Sequence, residues 1–321
     1  MAMMKAAVYR RYGPPEVVRV EAVPKPSPKA GEVLVRVHAA TVCAADWRCR
    51  KAEPFIVRLM NGLFAPKRMR VLGLELSGTV EAVGAGVTRF APGDEVFGSP
   101  GMGAGAHAQY VCLAEDGLIA KRPPNMSLDE AACVIFGGSS ALHFLRAAKV
   151  QPGQKVLIYG ASGSVGVFAV QIAKHMGAHV TAVCSTRNVE TARSRGADAV
   201  VDYTRQDFAA AGPVYDVIFE TVGKADVRRA FAALKPGGTF VVETPAEWLQ
   251  AIGLALMPGR ARVVGGMARV TPDGLAYLKD LIEAGKLRTV IDRSFPLDQI
   301  AEAHRLAESG HKRGHVAVLM D

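Results

Sequence analysis

A glycine-rich turn between an apolar strand pattern and an apolar helix pattern constrains this chain more than any other feature. Residues 160–166 read Gly-Ala-Ser-Gly-Ser-Val-Gly, follow the apolar run Val156–Tyr159 and open a helical pattern over 165–173. In such a unit glycine permits the tight turn, lets backbone approach a pyrophosphate and lets the helix pack on the strand. The pattern predicts a dinucleotide site, and the alternative is a turn that only packs a strand against a helix. The predicted contacts in the turn are Gly160, Ser162, Gly163, Ser164, Val165 and Gly166.

The end of the next predicted strand, His179–Val183, indicates which dinucleotide binds. It lies about 20 residues beyond the first glycine, where an NAD enzyme usually has an Asp or Glu on the ribose 2′-hydroxyl. This chain reads Cys-Ser-Thr-Arg-Asn over 184–188 instead. Two hydroxyls and a guanidinium favour a 2′-phosphate, because Arg can contact two phosphate oxygens at once. The sequence therefore predicts NADP(H) bound by Ser185 and Arg187, and the alternative is that Arg187 is a solvated residue at a helix start.

Strand and helix patterns alternate from 155 to 266, which predicts an α/β fold with a doubly wound parallel sheet. Ligands bind at the carboxyl ends of such strands. Four further residues lie there and are candidate cofactor contacts, although the first could be an ordinary loop glycine: Gly223, Gly265, Gly266 and Met267. The predicted strands are Lys155–Tyr159, His179–Val183, Ala199–Tyr203, Tyr215–Glu220, Thr239–Glu243 and Arg262–Gly265. The predicted helices between them include Asn188–Arg195, Lys224–Leu234 and Glu247–Leu256.

The remainder of the chain predicts a second, mainly β domain. Short alternating runs separated by Gly and Pro turns fill the first 120 residues and indicate an antiparallel, barrel-like domain. Ser127 and Glu130 form a capping box at the start of a helix. After 266, two helices (Pro272–Glu283 and Leu297–Glu308) and a strand (His315–Leu319) are expected to return to this domain. The predicted domains are therefore 1–125 completed by 267–321, and 126–266.

Composition excludes several classes of protein. The 321 residues carry a net charge of +9, but the basic residues are scattered, so we expect no nucleic-acid partner. No apolar run reaches the roughly 18 residues of a membrane span, and no signal-peptide core is present, so no membrane partner is expected. Five cysteines without a CxxC pair indicate reduced thiols. A cytoplasmic protein is the prediction.

Several phrases, in this order and spacing, resemble the medium-chain dehydrogenase/reductase superfamily. They are Gly73-Leu74-Glu75-Leu76-Ser77-Gly78 with Val83-Gly84, Pro92-Gly93-Asp94-Glu95-Val96, the turn at 160–166, Gly196-Ala197-Asp198 and Leu234-Lys235-Pro236-Gly237-Gly238. The resemblance covers essentially the whole chain. It implies a GroES-like, mainly β catalytic domain, a Rossmann domain, and assembly as a homodimer or homotetramer.

Departures from the superfamily's zinc enzymes predict that this chain holds no metal. In those enzymes a His that ligates the catalytic zinc stands where this chain has Leu74, which cannot ligate. By the same resemblance Cys43 lies at one ligand position and Phe136 replaces another ligand cysteine. Since a catalytic zinc needs three protein ligands, Cys43 and Glu75 do not suffice. The closely spaced cysteines of the structural zinc lobe are absent as well.

Without zinc the chain is most similar to the quinone oxidoreductase branch, which includes enone reductases. The branch implies further cofactor contacts at Asn188 and Tyr203 beside the 2′-phosphate, at Ser140 near the nicotinamide, and at Arg313 and His315 near the phosphates. Helix capping remains the alternative for Ser140, and a solvated turn for Arg313 and His315. On the substrate side it implies Asp46, Trp47 and Cys43, with Cys43 more typical of a packed residue and Asp46 of one that orients backbone.

These features predict an NADPH-dependent, zinc-independent reductase of small-molecule quinones or activated alkenes. Quinones and enones need no Lewis acid, whereas simple ketones need strong polarisation of the carbonyl. Two alternatives stay open: a zinc-type alcohol dehydrogenase, and an NADPH-binding sensor or structural protein without turnover.

A last feature is the apolar set Phe55, Ile56, Leu59, Met60, Leu63 and Phe64 at helical spacing, which predicts either a lid or, preferably, a helix packed on the barrel.

Overall fold

The computed structural model describes residues 2–243, 250–254 and 261–320. Contacts within the chain define two compact units. The first comprises Met1–Phe136, Thr271–Glu283 and Thr289–Asp321, and the second comprises Gly137–Val270 and Ala284–Arg288.

The helices and strands are numbered here in chain order. The strands are β1 (Met3–Tyr9), β2 (Val18–Pro24), β3 (Glu32–Thr41), β4 (Leu76–Val83), β5 (Glu95–Gly98), β6 (Tyr110–Ala114), β7 (Ile119–Lys121), β8 (Lys155–Tyr159), β9 (His179–Cys184), β10 (Ala199–Asp202), β11 (Tyr215–Glu220), β12 (Leu234–Val242), β13 (Arg262–Gly265), β14 (Ile291–Pro296) and β15 (His315–Leu319). The α-helices are α1 (Ala44–Lys51), α2 (Ile56–Asn61), α3 (Leu128–Ala131), α4 (Ile135–Ala148), α5 (Ser164–His175), α6 (Val189–Ser194), α7 (Val227–Ala233), α8 (Pro272–Glu283) and α9 (Ile300–Glu308).

The first unit is built on a mostly antiparallel sheet, as the sequence predicts. Its strand order is β14-β15-β3-β4-β5-β7, with β6 also pairing with β3. One pair, β14 with β15, is parallel, which the sequence pattern did not indicate. Alternate residues of β3, among them Val33, Val35 and Val37, point into a core that also receives Phe295 and Ile300 from the C-terminal segment. The C-terminal segment therefore completes the core of this unit.

The second unit contains the predicted doubly wound sheet. Six parallel strands lie in the order β10-β9-β8-β11-β12-β13, so the order reverses between β8 and β11, which is where such sheets bind ligands. The predicted bounds of β8, β11 and β13 are confirmed to the residue. Strand β12 begins five residues before the predicted Thr239. Residues 250–254 are helical. The other residues of the predicted helix Glu247–Leu256 lie outside the described residues.

Other local predictions also have a structural outcome. The capping box is confirmed, because Glu130 N donates to Ser127 Oγ (3.2 Å) and Ser127 N donates to Glu130 Oε2 (2.9 Å). Helix α7 begins at Val227 rather than Lys224, because Asp226 caps it by accepting from the amides of Arg228 and Arg229. All five cysteines are free thiols. Within the described ranges, no helix combines the length and apolar character that crossing a bilayer requires.

A buried carboxyl group ties three segments of the first unit together. Glu75, directly before β4, is fully buried and accepts from the Thr41 hydroxyl at the end of β3 and from Phe136 N (2.8 Å) at the start of α4. Burial raises the pKa of Glu75 to about 7, although both hydrogen bonds oppose the shift. The group therefore changes charge near neutral pH inside the core.

The stability of the protein is expected to depend on the ionisation of Glu75. Since its pKa is higher in the folded state than in the unfolded chain, its contribution is fully present at acid pH and is lost as the pH rises through about 7. Thermal or denaturant unfolding of wild type and Glu75→Gln from pH 5 to pH 9 should show the variant gaining up to about 3 kcal/mol relative to wild type at the alkaline end. Glu302→Gln, which changes an exposed carboxylate, is the matched control. A difference between Glu75→Gln and wild type that does not vary with pH would contradict the argument.

Candidate cofactor and substrate site

The glycine-rich turn after β8 is fixed to the neighbouring strand by its backbone. The amides of Gly160 and Ala161 both donate to Val183 O in β9, at 3.1 and 3.0 Å. Gly160 has φ of +80°, and a Cβ there would lie 2.6 Å from the Val222 side chain, so glycine is required by conformation and by space. The turn therefore holds one shape at the carboxyl edge of the sheet.

Helix α5 starts in direct contact with this turn. A Cβ on Gly166 would lie 2.2 Å from Gly160 O and 2.7 Å from the Cα of Ala161, so only glycine allows this approach. The N-cap is Gly163, which has no side chain to cover the helix end, and the amides of the first turn point toward that end. A backbone cradle at a positive helix end is the arrangement that binds a pyrophosphate.

Asn188 links the turn to the segment that follows β9. Its side chain is buried, and Nδ2 donates to Ser162 Oγ (3.0 Å) in the turn and to Ser185 Oγ (3.2 Å) after β9. As Ser185 Oγ accepts here, its own proton remains for another acceptor. The exposed residue Arg187 lies between Ser185 and Asn188, and Tyr203 N donates to Cys184 O (3.1 Å). The structure thus brings together the predicted residues 162, 185, 187, 188 and 203.

Sequence patterns gave no role to an acidic residue in this region. Asp202 ends β10 and accepts from Thr186 Oγ1 (2.6 Å) and from Thr204 Oγ1 (2.7 Å). These hydrogen bonds, the one from Thr186 foremost, lower its pKa, so Asp202 carries a negative charge. Because the Thr186 hydroxyl donates its hydrogen bond to Asp202, the Ser185 hydroxyl is the candidate donor to a phosphate. The sequence does place a carboxylate near the end of the third predicted strand. Its role was not predicted because Thr186, one of its two partners, comes from the segment after β9.

A second carboxylate that the sequence patterns did not single out shapes the loop after β11. Glu220 is fully buried and accepts from three successive amides: Val222 N (3.0 Å), Gly223 N (2.7 Å) and Lys224 N (3.1 Å). The loop that contains the predicted contact Gly223 is thereby held at the carboxyl end of β11. A buried acid at a strand end, followed within three residues by glycine, is a signal that sequence inspection could use.

The other predicted cofactor residues of the second unit lie at separate places. Ser140 is buried in the interior of α4, so it is not a helix cap. Gly265 ends β13 at the same edge of the sheet as the turn, followed by Gly266 and by Met267, whose side chain is 79% exposed. Their contact with a cofactor stays a prediction.

On the first unit, the three predicted substrate-side residues lie at the start of α1. Asp46 is buried, and its two oxygens accept from Cys43 N (2.8 Å) and Gly73 N (2.9 Å), so it holds backbone in place. Burial raises the pKa of the Cys43 thiol, which is therefore protonated and a poor nucleophile. Trp47 is half-buried, packs on the core and lies below the guanidinium of Arg48 at 5.4 Å. Of these three residues, Trp47 is the one whose side chain is partly exposed, and its ring does not ionise.

His315 does not have the environment of a phosphate contact. It belongs to β15, is 2% exposed, and its Nδ1 lies 3.1 Å from Val290 O. Burial lowers its pKa to about 3, so the ring is neutral and supplies no positive charge. The basic-site prediction is wrong for His315 on this physical ground. Arg313 is exposed, with its backbone amide on Asp292 Oδ2 (3.0 Å), and stays a candidate.

The residues at the zinc-ligand positions do not fit a zinc ion. Leu74 and Phe136 offer no donor, and the two oxygens of Glu75 accept from Thr41 and from Phe136 N. Among the residues that the structure describes, no cluster of three or more His, Cys, Asp or Glu side chains has the arrangement of a metal site. The side chains at these positions therefore cannot support a step that depends on a catalytic zinc.

Comparison with known proteins identifies the family. Residues 29–124 match the alcohol dehydrogenase GroES-like domain, and residues 195–318 match the zinc-binding dehydrogenase domain. The chloroplastic quinone-oxidoreductase QR1 of Triphysaria versicolor is 32% identical, over 98% of both chains. The chain belongs to the medium-chain dehydrogenase/reductase superfamily. The chloroplastic NADPH-dependent alkenal/one oxidoreductase of Arabidopsis thaliana is 31% identical over 98% of this chain and 79% of its own length.

A solved structure agrees with this assignment. The quinone oxidoreductase from Coxiella burnetii superposes with a TM-score of 0.90 at 32% identity, and the match covers 100% of each chain. Within the superfamily the chain therefore lies in the quinone oxidoreductase-like branch, and the GroES-like and Rossmann folds that the resemblance implied are both confirmed.

Gly166→Ala tests the contact between helix and turn. The added methyl group would meet backbone atoms that no rotamer change can move, so the turn or the helix must shift. We expect a loss of roughly 1–3 kcal/mol of stability and weaker NADPH binding, measured by thermal unfolding and by fluorescence titration. Gly253→Ala, at a helical position with open space around the Cβ, is the control and should be neutral or slightly stabilising. Normal NADPH affinity of Gly166→Ala would contradict the assignment of the cradle.

Proposed function

We propose that the protein is an NADPH-dependent, zinc-independent reductase that transfers hydride to quinones or activated alkenes such as enones. The observation that carries the proposal is a glycine turn packed against the start of α5, together with apolar residues, Leu74 and Phe136, at two zinc-ligand positions of the family. The names of the relatives in Triphysaria versicolor and Arabidopsis thaliana support the same class of acceptor.

The preference for NADPH rests on the segment after β9. Ser185 retains a hydroxyl proton, Asn188 positions Ser185 beside the turn, and Arg187 adds a guanidinium at the start of the next helix. The carboxylate of Asp202 is occupied by hydrogen bonds from Thr186 and Thr204. We propose Ser185, Arg187, Asn188 and Tyr203 as the residues that contact the 2′-phosphate.

The acceptor class follows from what the chain's residues provide. Bound NADPH would supply a hydride at its nicotinamide ring. The protein's part is to position the acceptor and to exclude water. Asp46 fixes the backbone at Cys43 and Gly73, and Trp47 offers a flat apolar surface. Electron-poor acceptors such as quinones and enones need no Lewis acid, because hydrogen bonds can stabilise the anion that forms. We propose Asp46 as a positioning residue and Trp47 as part of the lining of the acceptor site, with Cys43, which is 2% exposed, as a packed residue beside them in the chain.

Four further points belong to the proposal. The two functional domains are 1–125 with 267–321, and 126–266. The enzyme is cytoplasmic, as five free thiols favour a reducing compartment. It assembles as a homodimer or homotetramer, as the family resemblance implies. Ser140, Gly265, Gly266, Met267 and Arg313 complete the proposed cofactor contacts.

Arg187→Asp tests the cofactor preference. Losing a charge-assisted hydrogen bond and adding a repulsive carboxylate should raise the KM for NADPH roughly tenfold to 100-fold and leave the KM for NADH within about twofold. Arg193→Asp, a matched change on α6, should leave both values near wild type. An equal effect of Arg187→Asp on both cofactors would show that the side chain has a structural role rather than a phosphate contact.

The activity itself is tested by following NADPH oxidation spectrophotometrically with phenanthrenequinone, and with a simple enone, in the presence of excess chelator. Turnover that prefers NADPH and is unaffected by the chelator is the expected result. Loss of activity on chelation, with recovery on addition of zinc, would favour an alcohol dehydrogenase instead. Tight NADPH binding without turnover of any acceptor would favour a non-catalytic protein.

A further inference from the structure

An exposed apolar surface lies on the segment from Phe55 to Phe64 in the first unit. Helical spacing predicted a helix packed on the barrel, with a lid as the alternative; the exposure of these side chains contradicts the packed helix and leaves the lid untested. Phe55, Leu59 and Phe64 are 63, 62 and 87% exposed, and Ile56, Met60 and Leu63 are exposed as well. So many large apolar side chains within ten residues form a contiguous patch of the kind that marks an interaction surface.

A buried asparagine attaches a basic run to this patch. Asn61, the last residue of α2, is fully buried: its Nδ2 donates to Tyr9 Oη (2.7 Å), and its Oδ1 accepts from the amides of Arg68 (3.2 Å) and Met69 (2.8 Å). Asn61 O also accepts from Lys67 N at 2.7 Å. The run Lys67–Arg70 is therefore held against the end of the helix that carries the apolar residues.

The charge around the patch is strongly positive. Residues 51–70 contain five basic side chains, Lys51, Arg58, Lys67, Arg68 and Arg70, and a single acidic one, Glu53. Lys51 pairs with Glu53 (3.2 Å), and Arg58 donates to Leu63 O (3.2 Å). In the part of the chain that the structure describes, Lys67, Arg68 and Arg70 form no ion pair, and all three are exposed.

We propose that this apolar–basic surface docks the protein on an anionic lipid bilayer, with the 55–64 side chains entering the interface and Lys67, Arg68 and Arg70 contacting lipid head groups. An apolar surface that carries a basic border suits this partner, because binding strength adds apolar burial to attraction for anionic lipid. A basic protein partner is disfavoured by like charge, and so is a second copy seated patch against patch. The proposal departs from the sequence-based expectation of no membrane partner, which rested on the lack of a spanning run; it concerns peripheral binding and is independent of the reductase activity.

Vesicle co-sedimentation of the full-length protein provides the test, with phosphatidylcholine vesicles that contain or lack phosphatidylglycerol. Binding is expected only with the anionic vesicles and should weaken as salt is raised. Lys67→Glu with Arg68→Glu should reduce the partition coefficient by roughly 30-fold or more, and Leu59→Ser with Phe64→Ser by roughly tenfold. The charge-matched control, Lys149→Glu with Arg228→Glu in the second unit, should bind like wild type. Circular dichroism melting curves verify that each variant is folded.

Three results would overturn the proposal. One is the absence of binding to anionic vesicles at low salt. Another is an equal loss of binding in the control and the Lys67/Arg68 variant, because attraction would then depend on net charge alone. The third is a change of oligomeric state of the Leu59/Phe64 variant in analytical ultracentrifugation without a change in vesicle binding, which would assign the patch to contacts between copies of the chain.

Discussion

The close approach of helix α5 to the turn after β8 is the constraint on which the cofactor-binding unit depends. The distance from Gly160 O to a virtual Cβ on Gly166 is 2.2 Å, so the helix lies as near to the turn as backbone allows. Ten consecutive residues of α5, Ser164–Ala173, are buried. The turn is itself held by Val183 O of β9. A shift of the helix would therefore displace both the phosphate cradle and the strand beside it.

Buried acids organise the loops around this framework. Glu220 accepts hydrogen bonds from three loop amides after β11. Asp202, at the end of β10, accepts from two threonine hydroxyls, and Asp46 accepts from two amides in the first unit. Each carboxylate thereby fixes the segments that supply its donors. The predicted contacts Ser185 and Gly223 stand on loops whose shape depends on these carboxylates.

The sequence predicted the elements with a strong period and missed what tertiary contacts decide. Helix α8 and strands β8, β11, β13 and β15 have the predicted bounds, because apolar patterns and flanking turn residues determine them locally. The role of Asp202 depends on Thr186 from another segment, which no local pattern encodes, whereas the partners of Glu220 are the three amides that follow it within four residues. The basic site at His315 and the packed helix at 55–64 are contradicted for the same reason: a motif gives residue types, whereas exposure is set by the whole fold.

The first unit also shows how a zinc-binding fold is maintained when two ligand positions are replaced by apolar residues. Glu75, which follows Leu74 in the chain, is fully buried, and its carboxyl group accepts a hydrogen bond from the amide of Phe136. Burial disfavours the charged form, so the pKa rises to about 7, and the Thr41 hydroxyl supplies one of the compensating bonds. Lys312 contributes positive charge that interacts with Glu75, and burial lowers its own pKa to about 8. The ionised form of Glu75 favours the protonated amine of Lys312 and so opposes the effect of burial on it, which means that the two groups change charge in a coupled way just above neutral pH.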